Sequence, residues 1–430
     1  MPGPPRPGHE PGHPGAAWVR HPVGAGTYGL RVRILHTSDW HLGRSFHREG
    51  MLGHQAAYVD HLLEVVEQEQ VDLVVLAGDV YDRALPPVDA VHLANEAFTR
   101  LAASRARVVV TSGNHDSAQR LGFGADLIDA AGLHLRTRAS GVGTPVLLED
   151  EHGPVAVYGL PYLDPDHLRE PWALAHRSHE AALTEAMRRV RVDLAARPGG
   201  TRSVVLAHAF VAGDGTRVTE SESERDISVG GVSIVPTTVF DGVSYAALGH
   251  LHGRHTLTES VRYSGSPLAY SFSEADHLKG SWLVDLGSDG VGAAEFVEAP
   301  VPRRLKRLAG DLVDLLSDPR LADHEDAWVQ ATLTDAERPH EPMERLRRRF
   351  PHTLRLAWEP AGGARPGSAS YRPVAGRSDH DIAVDFLGEL RGRPASAAES
   401  RLLRDACDAC SPDRDLDPVE ATLFDLEGAG

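Results

Sequence analysis

The sequence predicts an α/β protein built around a two-sheet sandwich, followed by a small α/β module and a helical tail. Three features carry this reading. Between Arg31 and Asp116 short apolar runs alternate with helical periodicity in the order β-α-β-α-β. Beyond residue 200 apolar runs return and end in histidines, and near residue 301 the acidic composition gives way to balanced charge.

Taken in order, residues 1–30 are rich in Pro and Gly, lack the apolar core of a signal peptide and read as a disordered extension. RVRILHTSD, from Arg31 to Asp39, is a short apolar run that stops at polar residues, the pattern of a buried strand. HQAAYVDHLLEVVEQEQ (54–70) places Tyr58, Leu62, Val65 and Val66 on one helical face. VDLVVLAGD (71–79) is a second buried strand, PVDAVHLANEAFTRLAA (87–103) a second helix, and ARVVVTSGNHD (106–116) a strand running into a polar turn. Such alternation implies neighbouring parallel strands. PVAVYGLPY (154–162) reads as a strand and SHEAALTEAMRRVRVDLAA (178–196) as a helix. SVVLAHAF (203–210) and VSYAALGHLH (243–252) are strands, and VRYSGSPLAYSF (261–272) and GSWLVDLG (280–287) are expected in a second sheet. The mixture favours a two-sheet sandwich over one open parallel sheet.

Residues 301–360 form the expected cap module, with LKRLAGDLVDLL, AWVQATLTD and PMERLRRRF reading as helix, strand and helix. Residues 361–378 are a Gly/Pro/Ser-rich linker. The tail, 379–430, carries helical stretches too short for a core of their own, which suits docking on a partner. The main domain is thus expected over 31–300.

Composition narrows function. No apolar run is long enough to span a membrane. Two cysteines, Cys407 and Cys410, exclude a disulfide framework, and with no export signal the expected location is the cytoplasm. The pair has no second C-x-x-C to complete a zinc site. A net charge of −17 argues against coating DNA by bulk electrostatics, but not against an enzyme gathering phosphates through metal ions.

The chemistry lies in five polar signals, each just past the C-terminal end of an apolar strand: Asp39-Trp40-His41, Gly78-Asp79, Gly113-Asn114-His115-Asp116, Ala207-His208 and Gly249-His250-Leu251-His252. Ligands of α/β sheets bind outside those strand ends, so the five turns can converge. Their donors, Asp39, His41, Asp79, Asn114, His208, His250 and His252, are too many for one ion with room for substrate and suit two ions sharing a carboxylate. A mixture of imidazole, carboxylate and amide oxygen suits Mn²⁺, Fe²⁺ or Zn²⁺ better than Ca²⁺ or Mg²⁺. Each signal alone is ordinary, since Gly-Asp caps many strands and a lone strand histidine is usually a core residue. It is their joint occurrence that points to a metal site.

HTSDWHLG, AGDVYDRALPP, SGNHDS, LAHAFV and ALGHLH, followed by YSGSPLAYSFSE, resemble the calcineurin-like metallophosphoesterases over about residues 31–300. Within them the chain is similar to the bacterial SbcD nuclease subunits, a likeness strengthened by SESERDISVGG (221–231). The resemblance implies that Asp39, His41 and His252 hold one metal, that Asn114, His208 and His250 hold the other, and that Asp79 bridges them. It makes Mn²⁺ the first expectation for both ions. It implies His115 as the group facing the scissile phosphate, with Asp116 orienting it, while by its place in the turn Asp116 reads equally as a loop cap. Archaeal members carry a histidine where this chain has Asp82, which reads here as loop support. His36 reads as a histidine that either supports the ligands or packs in the core, and Arg304, Lys306, Arg307 and Arg347–Arg349 as helix surface, leaving DNA-contacting residues unassigned.

The activity implied is ATP-dependent 3′→5′ exonuclease action on duplex DNA and endonuclease action on single strands and hairpins, in DNA repair, recombination and replication. No P-loop of the form G-x-x-x-x-G-K-S/T occurs, so ATP use falls to the partner the family implies, an SbcC-type coiled-coil ATPase. A heterotetramer, dimerised through the nuclease domain and associated with the nucleoid, is expected. The rival readings are a phosphodiesterase acting on small nucleotides and a non-enzymatic DNA tether.

Overall fold

The structure, a computed structural model, describes residues 31–213, 221–224, 227, 234–301, 303–360, 377–391 and 393–410. The extension 1–30, most of SESERDISVGG, linker residues 361–376 and the end of the tail, 411–430, lie outside the described residues. The chain divides into two compact units between Lys306 and Arg307.

The first unit contains the sandwich. Its strands are β1 (Val32–Thr37), β2 (Leu73–Ala77), β3 (Arg107–Thr111), β4 (Leu133–Arg136), β5 (Val146–Asp150), β6 (Gly153–Gly159), β7 (Arg202–His208), β8 (Tyr245–Gly249), β9 (His255–Thr256), β10 (Val261–Tyr263), β11 (Gly280–Gly287) and β12 (Gly290–Glu298). One sheet has the order β12-β11-β1-β2-β3-β4 and the other β9-β10-β8-β7-β6-β5. Strands β1 to β4 run parallel, as do β6, β7, β8 and β10. Strands buried on both faces read as unbroken apolar runs, and here the residues divide by parity. Leu73, Val75, Val109, Val204, Leu206 and Tyr245 meet between the sheets. Val74, Leu76, Val108 and Val110 instead face α1 (Leu52–Gln68) and α2 (Val88–Ala103). Val205, Ala207, Ala246 and Leu248 face α3 (His179–Ala195) on the other outer side. Helix α3 begins where the Ser178 hydroxyl accepts from the Ala181 N–H, a hydrogen-bonded N-cap.

Two expectations in this unit need correction. Gly280–Gly287 joins the first sheet, antiparallel to β1, and not the second. Its Trp282, Val284 and Leu286 fill the space between the sheets while Leu283 faces the helices, so the strand looks equally buried from either edge. The run 261–272 is a strand only to Tyr263. Gly265 then adopts φ +76°, and a Cβ there would lie 2.6 Å from the His252 carbonyl, so the chain leaves the sheet to pass closely under His252.

Beyond the boundary, which falls two residues into its first strand, lies the three-stranded sheet Leu305–Gly310, Trp328–Leu333 and Thr353–Trp358, with helices Leu312–Ser317 and Pro342–Arg349. Its core is Leu308, Leu312, Leu315, Val329, Leu333, Leu346 and Phe350. LKRLAGDLVDLL is therefore not one helix. It is a strand and a short helix, parted at Gly310-Asp311, where the Asp335 carboxylate accepts from the Leu312 N–H (2.9 Å). Helices Asp379–Arg391 and Ala397–Cys410 contact each other through His380, whose Nε2 lies 2.9 Å from the Ser400 carbonyl.

Candidate metal centre

The C-terminal ends of β1, β2, β3, β7 and β8 bring the five polar turns together. Two turns are laced by main-chain bonds: Asp39 N–H to Gly78 O (3.1 Å), His41 N–H to Asp79 O (3.0 Å) and Leu42 N–H to Val80 O (2.9 Å). Asp39 (φ 54°), His41 (φ 45°), Asp79 (φ 52°) and His250 (φ 105°) all have the left-handed backbone that non-glycine residues seldom adopt. Side chains lock the others. The Asp39 carboxylate accepts from the His250 N–H (3.0 Å), and Asp79 Oδ1 accepts from the His115 N–H (2.9 Å).

Asp39, His41, Asp79, His208, His250 and His252 are buried, and Asn114 is half-buried. Ligand atoms of Asp39, His41 and His252 lie within 4.8 Å of one another, as do those of Asp39, Asp79 and His208. His41 Nε2 stands 3.0 Å from His252 Nε2, and His208 Nε2 stands 2.9 Å from Asn114 Oδ1. Asp79 Oδ2 lies 3.6 Å from His41 Nε2 and 3.4 Å from His208 Nε2, so one oxygen faces both groups. The His250 ring packs edge-on to that of His208 at 5.5 Å. His208 is aimed by its other nitrogen, 2.9 Å from the Ala77 carbonyl.

The electrostatics suit cations. Burial pushes the Asp39 carboxyl up to about 7. Burial would also raise Asp79, but facing His208 and His41 hold it well below the usual carboxylate range. Burial disfavours a charged His208, yet Asp79 and Asp39 raise it to about 9. His41, His250 and His252 are all lowered by burial and so are neutral imidazoles with lone pairs to offer. Two buried carboxylates and four buried imidazoles, with two nitrogens 3.0 Å apart, fit divalent cations.

His115 lies at the side of this cluster, its ring 4.7 Å from that of His41. Its Nδ1 is 2.7 Å from the main-chain oxygen of Asp82, an acceptor only, which assigns the proton to Nδ1 and leaves Nε2 for the centre. The expectation that Asp116 orients His115 is therefore corrected. The Asp116 carboxylate instead accepts from the N–H groups of Val80, Tyr81 and Gly113, at 3.1, 2.9 and 3.0 Å, and ties two turns together. The Asp82 side chain stands 4.0 Å from His41 Nδ1 and 3.5 Å from Arg44 Nε. His36 packs between the sheets, bonded to the Tyr245 hydroxyl (2.8 Å) and the Leu248 carbonyl (3.1 Å).

Several supporting residues escape the sequence reading. Gln55 donates to the His41 carbonyl (2.8 Å), and Tyr270 to that of Trp40 (2.6 Å). Glu224 accepts from the His252 N–H (2.6 Å), and Ser223, Glu274 and Lys279 surround the same histidine. The only sequence signal was the density of Ser and Glu in SESE and FSE, loops that periodicity does not read.

Residues 32–254, more than half of the chain, match the family model of the calcineurin-like phosphoesterases. Residues 301–389 match an SbcD-type C-terminal domain, described as the type 5 capsule protein repressor C-terminal domain. Among solved structures the chain is similar to TT1561 of Thermus thermophilus, at 13% identity and TM-score 0.37, covering 62% of this chain and 99% of that one. An archaeal phosphodiesterase matches at 12% identity and TM-score 0.27, covering 62% of this chain and 100% of its own. GAP50, the anchor in the inner membrane complex of Plasmodium, matches at 10% identity and TM-score 0.35, covering 78% and 99%.

Proposed function

The chain belongs to the calcineurin-like phosphoesterases, and from that premise we propose that it is the metal-dependent DNA nuclease subunit of an SbcC–SbcD-type complex. The observation that carries the reading is Asp79 Oδ2 lying within 3.6 Å of imidazoles from two different ligand groups, as a bridging carboxylate must. Asp39, His41 and His252 would hold one divalent ion, and Asn114, His208 and His250 the other, with Mn²⁺ the first candidate for both. Such a pair supplies Lewis-acid polarisation of phosphoryl oxygens and a water-derived nucleophile at neutral pH.

The chain's own residues do the rest. The left-handed turns and main-chain lacing set the donors before substrate arrives. His115, its proton fixed on Nδ1 by the Asp82 carbonyl, directs Nε2 at the reacting phosphate. In its protonated form that nitrogen donates to the departing 3′ oxygen.

The C-terminal match over 301–389 supports an SbcC-type ATPase as partner and a substrate larger than a nucleotide. ATP-dependent 3′→5′ cutting of duplex DNA, hairpin cleavage and a role in DNA repair, recombination and replication at the nucleoid belong to the same proposal. Among the described residues no helix is long and apolar enough to cross a membrane. An apolar patch supports a homodimer through this domain. Phe123 and Leu127 are 85% and 84% exposed, near Leu85 and Val88, and the Arg120 guanidinium joins the two segments through the Ala84 carbonyl (3.2 Å).

The test is cleavage of a labelled duplex and a hairpin in Mn²⁺ by wild type, His115→Ala and Asp79→Ala, with and without an SbcC-type partner and ATP. Metal-dependent cutting lost in both variants is expected. Wild type that loads metal and hydrolyses a cyclic nucleotide, yet leaves all DNA intact with the partner present, would overturn the nuclease reading.

A further inference from the structure

We propose that Ser223 and Glu274 form a positioning relay that fixes His252 as a metal ligand, so that one of the two ions depends on a loop outside the five motifs. The inference rests on the metal-centre reading above and concerns which residues, beyond the ligands, make that centre bind.

The relay follows from donor and acceptor arithmetic. Ser223 Oγ stands 2.7 Å from His252 Nδ1 and 2.5 Å from Glu274 Oε1. Glu274 is buried, and its other oxygen, Oε2, meets the Lys279 ammonium at 2.5 Å, so the carboxylate is ionised and only accepts. Ser223 Oγ also meets the Ser221 hydroxyl at 2.7 Å, which has a proton of its own to give, whereas the Glu274 carboxylate has none, so the single Ser223 hydroxyl proton goes to Glu274. The oxygen of Ser223 is then left as acceptor, and His252 must bring the proton on Nδ1. Its lone pair is thereby placed on Nε2, the atom 3.0 Å from His41 Nε2. A ligating histidine with its far nitrogen tied, here through one serine, to a carboxylate is held in tautomer and in ring angle.

The same loops also grip the His252 main chain. Glu224 accepts from its N–H (2.6 Å), and Lys279 donates to its carbonyl (2.8 Å) and to the Ser266 hydroxyl (2.9 Å). The Arg44 guanidinium holds the Ser223 carbonyl at 2.6 Å, and Ser273 Oγ accepts from the Glu222 N–H at 3.1 Å. Residues 221–224 are thus seated from both sides, and the seat converges on a single ligand. Among the described residues His208 is aimed instead by a main-chain carbonyl within the sandwich. The asymmetry separates the ions: the one held by Asp39, His41 and His252 is sensitive to the 221–224 and 274–279 loops, and its neighbour is not.

The test is Mn²⁺ binding by the full chain, read by titration calorimetry and by the spin-coupled Mn²⁺ resonance of an ion pair, with melting in EDTA as the folding control. Ser223→Ala removes the acceptor with little change in volume. Glu274→Gln/Lys279→Met replaces the acceptor-only carboxylate by an amide that can also donate to Ser223, so the direction of the Ser223 proton is no longer fixed, and it strands no buried charge. Wild type is expected to bind two ions. Both variants should weaken one of them roughly 10–100-fold, leave the other unchanged and lose the coupled signal. If Glu274→Gln/Lys279→Met does not fold, Ser223→Ala decides alone. Two ions bound with wild-type affinity in a folded Ser223→Ala variant would overturn the relay while the metal centre stood. Equal weakening of both ions would overturn it too, since the loss would not then be specific to His252. Fewer than two ions in wild type would instead overturn the two-metal reading.

Discussion

Gly249→Ala is the sharpest probe of how the sandwich builds its site. Gly249 ends β8, one residue before His250, and its φ is not in the left-handed region, so alanine can take its backbone without strain. Space is the obstacle. A Cβ would stand 1.9 Å from the Ala77 carbonyl oxygen on β2 of the other sheet and 3.0 Å from His208 Nδ1. Carbon and oxygen approach no closer than roughly 3.3 Å in ordinary contacts, so the two strand ends must part by about 1.4 Å. Parting them displaces the carbonyl that aims His208, at 2.9 Å.

Overpacking of this kind costs about 1–3 kcal/mol in stability. A displacement near 1 Å at reacting groups costs on the order of 100-fold in rate. The assay is hydrolysis of bis-p-nitrophenyl phosphate in Mn²⁺, beside melting in EDTA and a metal count. Gly53→Ala is the control, since nothing lies within 4 Å of a Cβ there and the position is on α1. It should keep full activity and be unchanged to slightly stabilised. Gly249→Ala with wild-type rate and metal content would refute the claim that close approach of the two sheets sets the ligand geometry.

Three further outcomes follow from the same structure. Burial holds His36 down at about 3 against an ordinary 6.5, so unfolding below pH 6.5 takes up a proton that the native state refuses. Its contribution is full above pH 6.5 and is lost toward pH 3 at about 1.4 kcal/mol per unit. Urea unfolding in EDTA from pH 6.5 to 4.5 should therefore be less steeply pH-dependent in His36→Gln, and parallel curves would count against the assignment. Because Asp82 holds His115 by its main chain, Asp82→Asn should lower the rate of DNA cutting less than about 10-fold, against roughly 10²–10⁴-fold for His115→Ala. Equal losses would mean that the Asp82 carboxylate, not its carbonyl, is what matters. Phe123→Asp with Leu127→Asp should shift the protein from dimer to monomer in light scattering, and an unchanged mass would place the dimer contact elsewhere.

What the sequence could tell depended on whether an interaction was local. The strands 71–79 and 106–116 were legible because both faces are buried and each run is unbroken, and the ligand turns because each follows such a run directly. GVGAAEFVE, the edge strand β12, was not: it is mostly half-exposed and shows no clean alternation. The sheet assignment of Gly280–Gly287 depended on a partner more than 240 residues away, β1, which no local pattern specifies. Asp116 failed for a related reason. The resemblance implied a pair with His115, whereas the three N–H groups Asp116 satisfies come from two separate turns. Ser223 and Glu274 reach His252 from separate loops, and no window of sequence contains the relay.

The strained turns show how the site and the sandwich depend on each other. Left-handed backbone at a non-glycine residue costs of order 1–3 kcal/mol and persists only where the surroundings over-determine it. Four of the proposed ligands, Asp39, His41, Asp79 and His250, carry it. The surroundings are specific: the Asp39–Gly78 and His41–Asp79 main-chain bonds, and the His250 N–H on Asp39. Each strained residue is held by the turn of a different strand, so no turn can relax without releasing another. Helical or extended backbone at these positions would swing the donors away from the shared centre. The strain is thus the means by which separate strand ends aim at one point. It follows that the strand ends must already be fixed before the donors can converge. His36 contributes to that fixing, three residues upstream of Asp39 and bonded to both Tyr245 and Leu248 of β8. A histidine that carries no ligand thereby spans the two sheets beneath the site, joining the strand that ends in Asp39 to the strand that ends in His250.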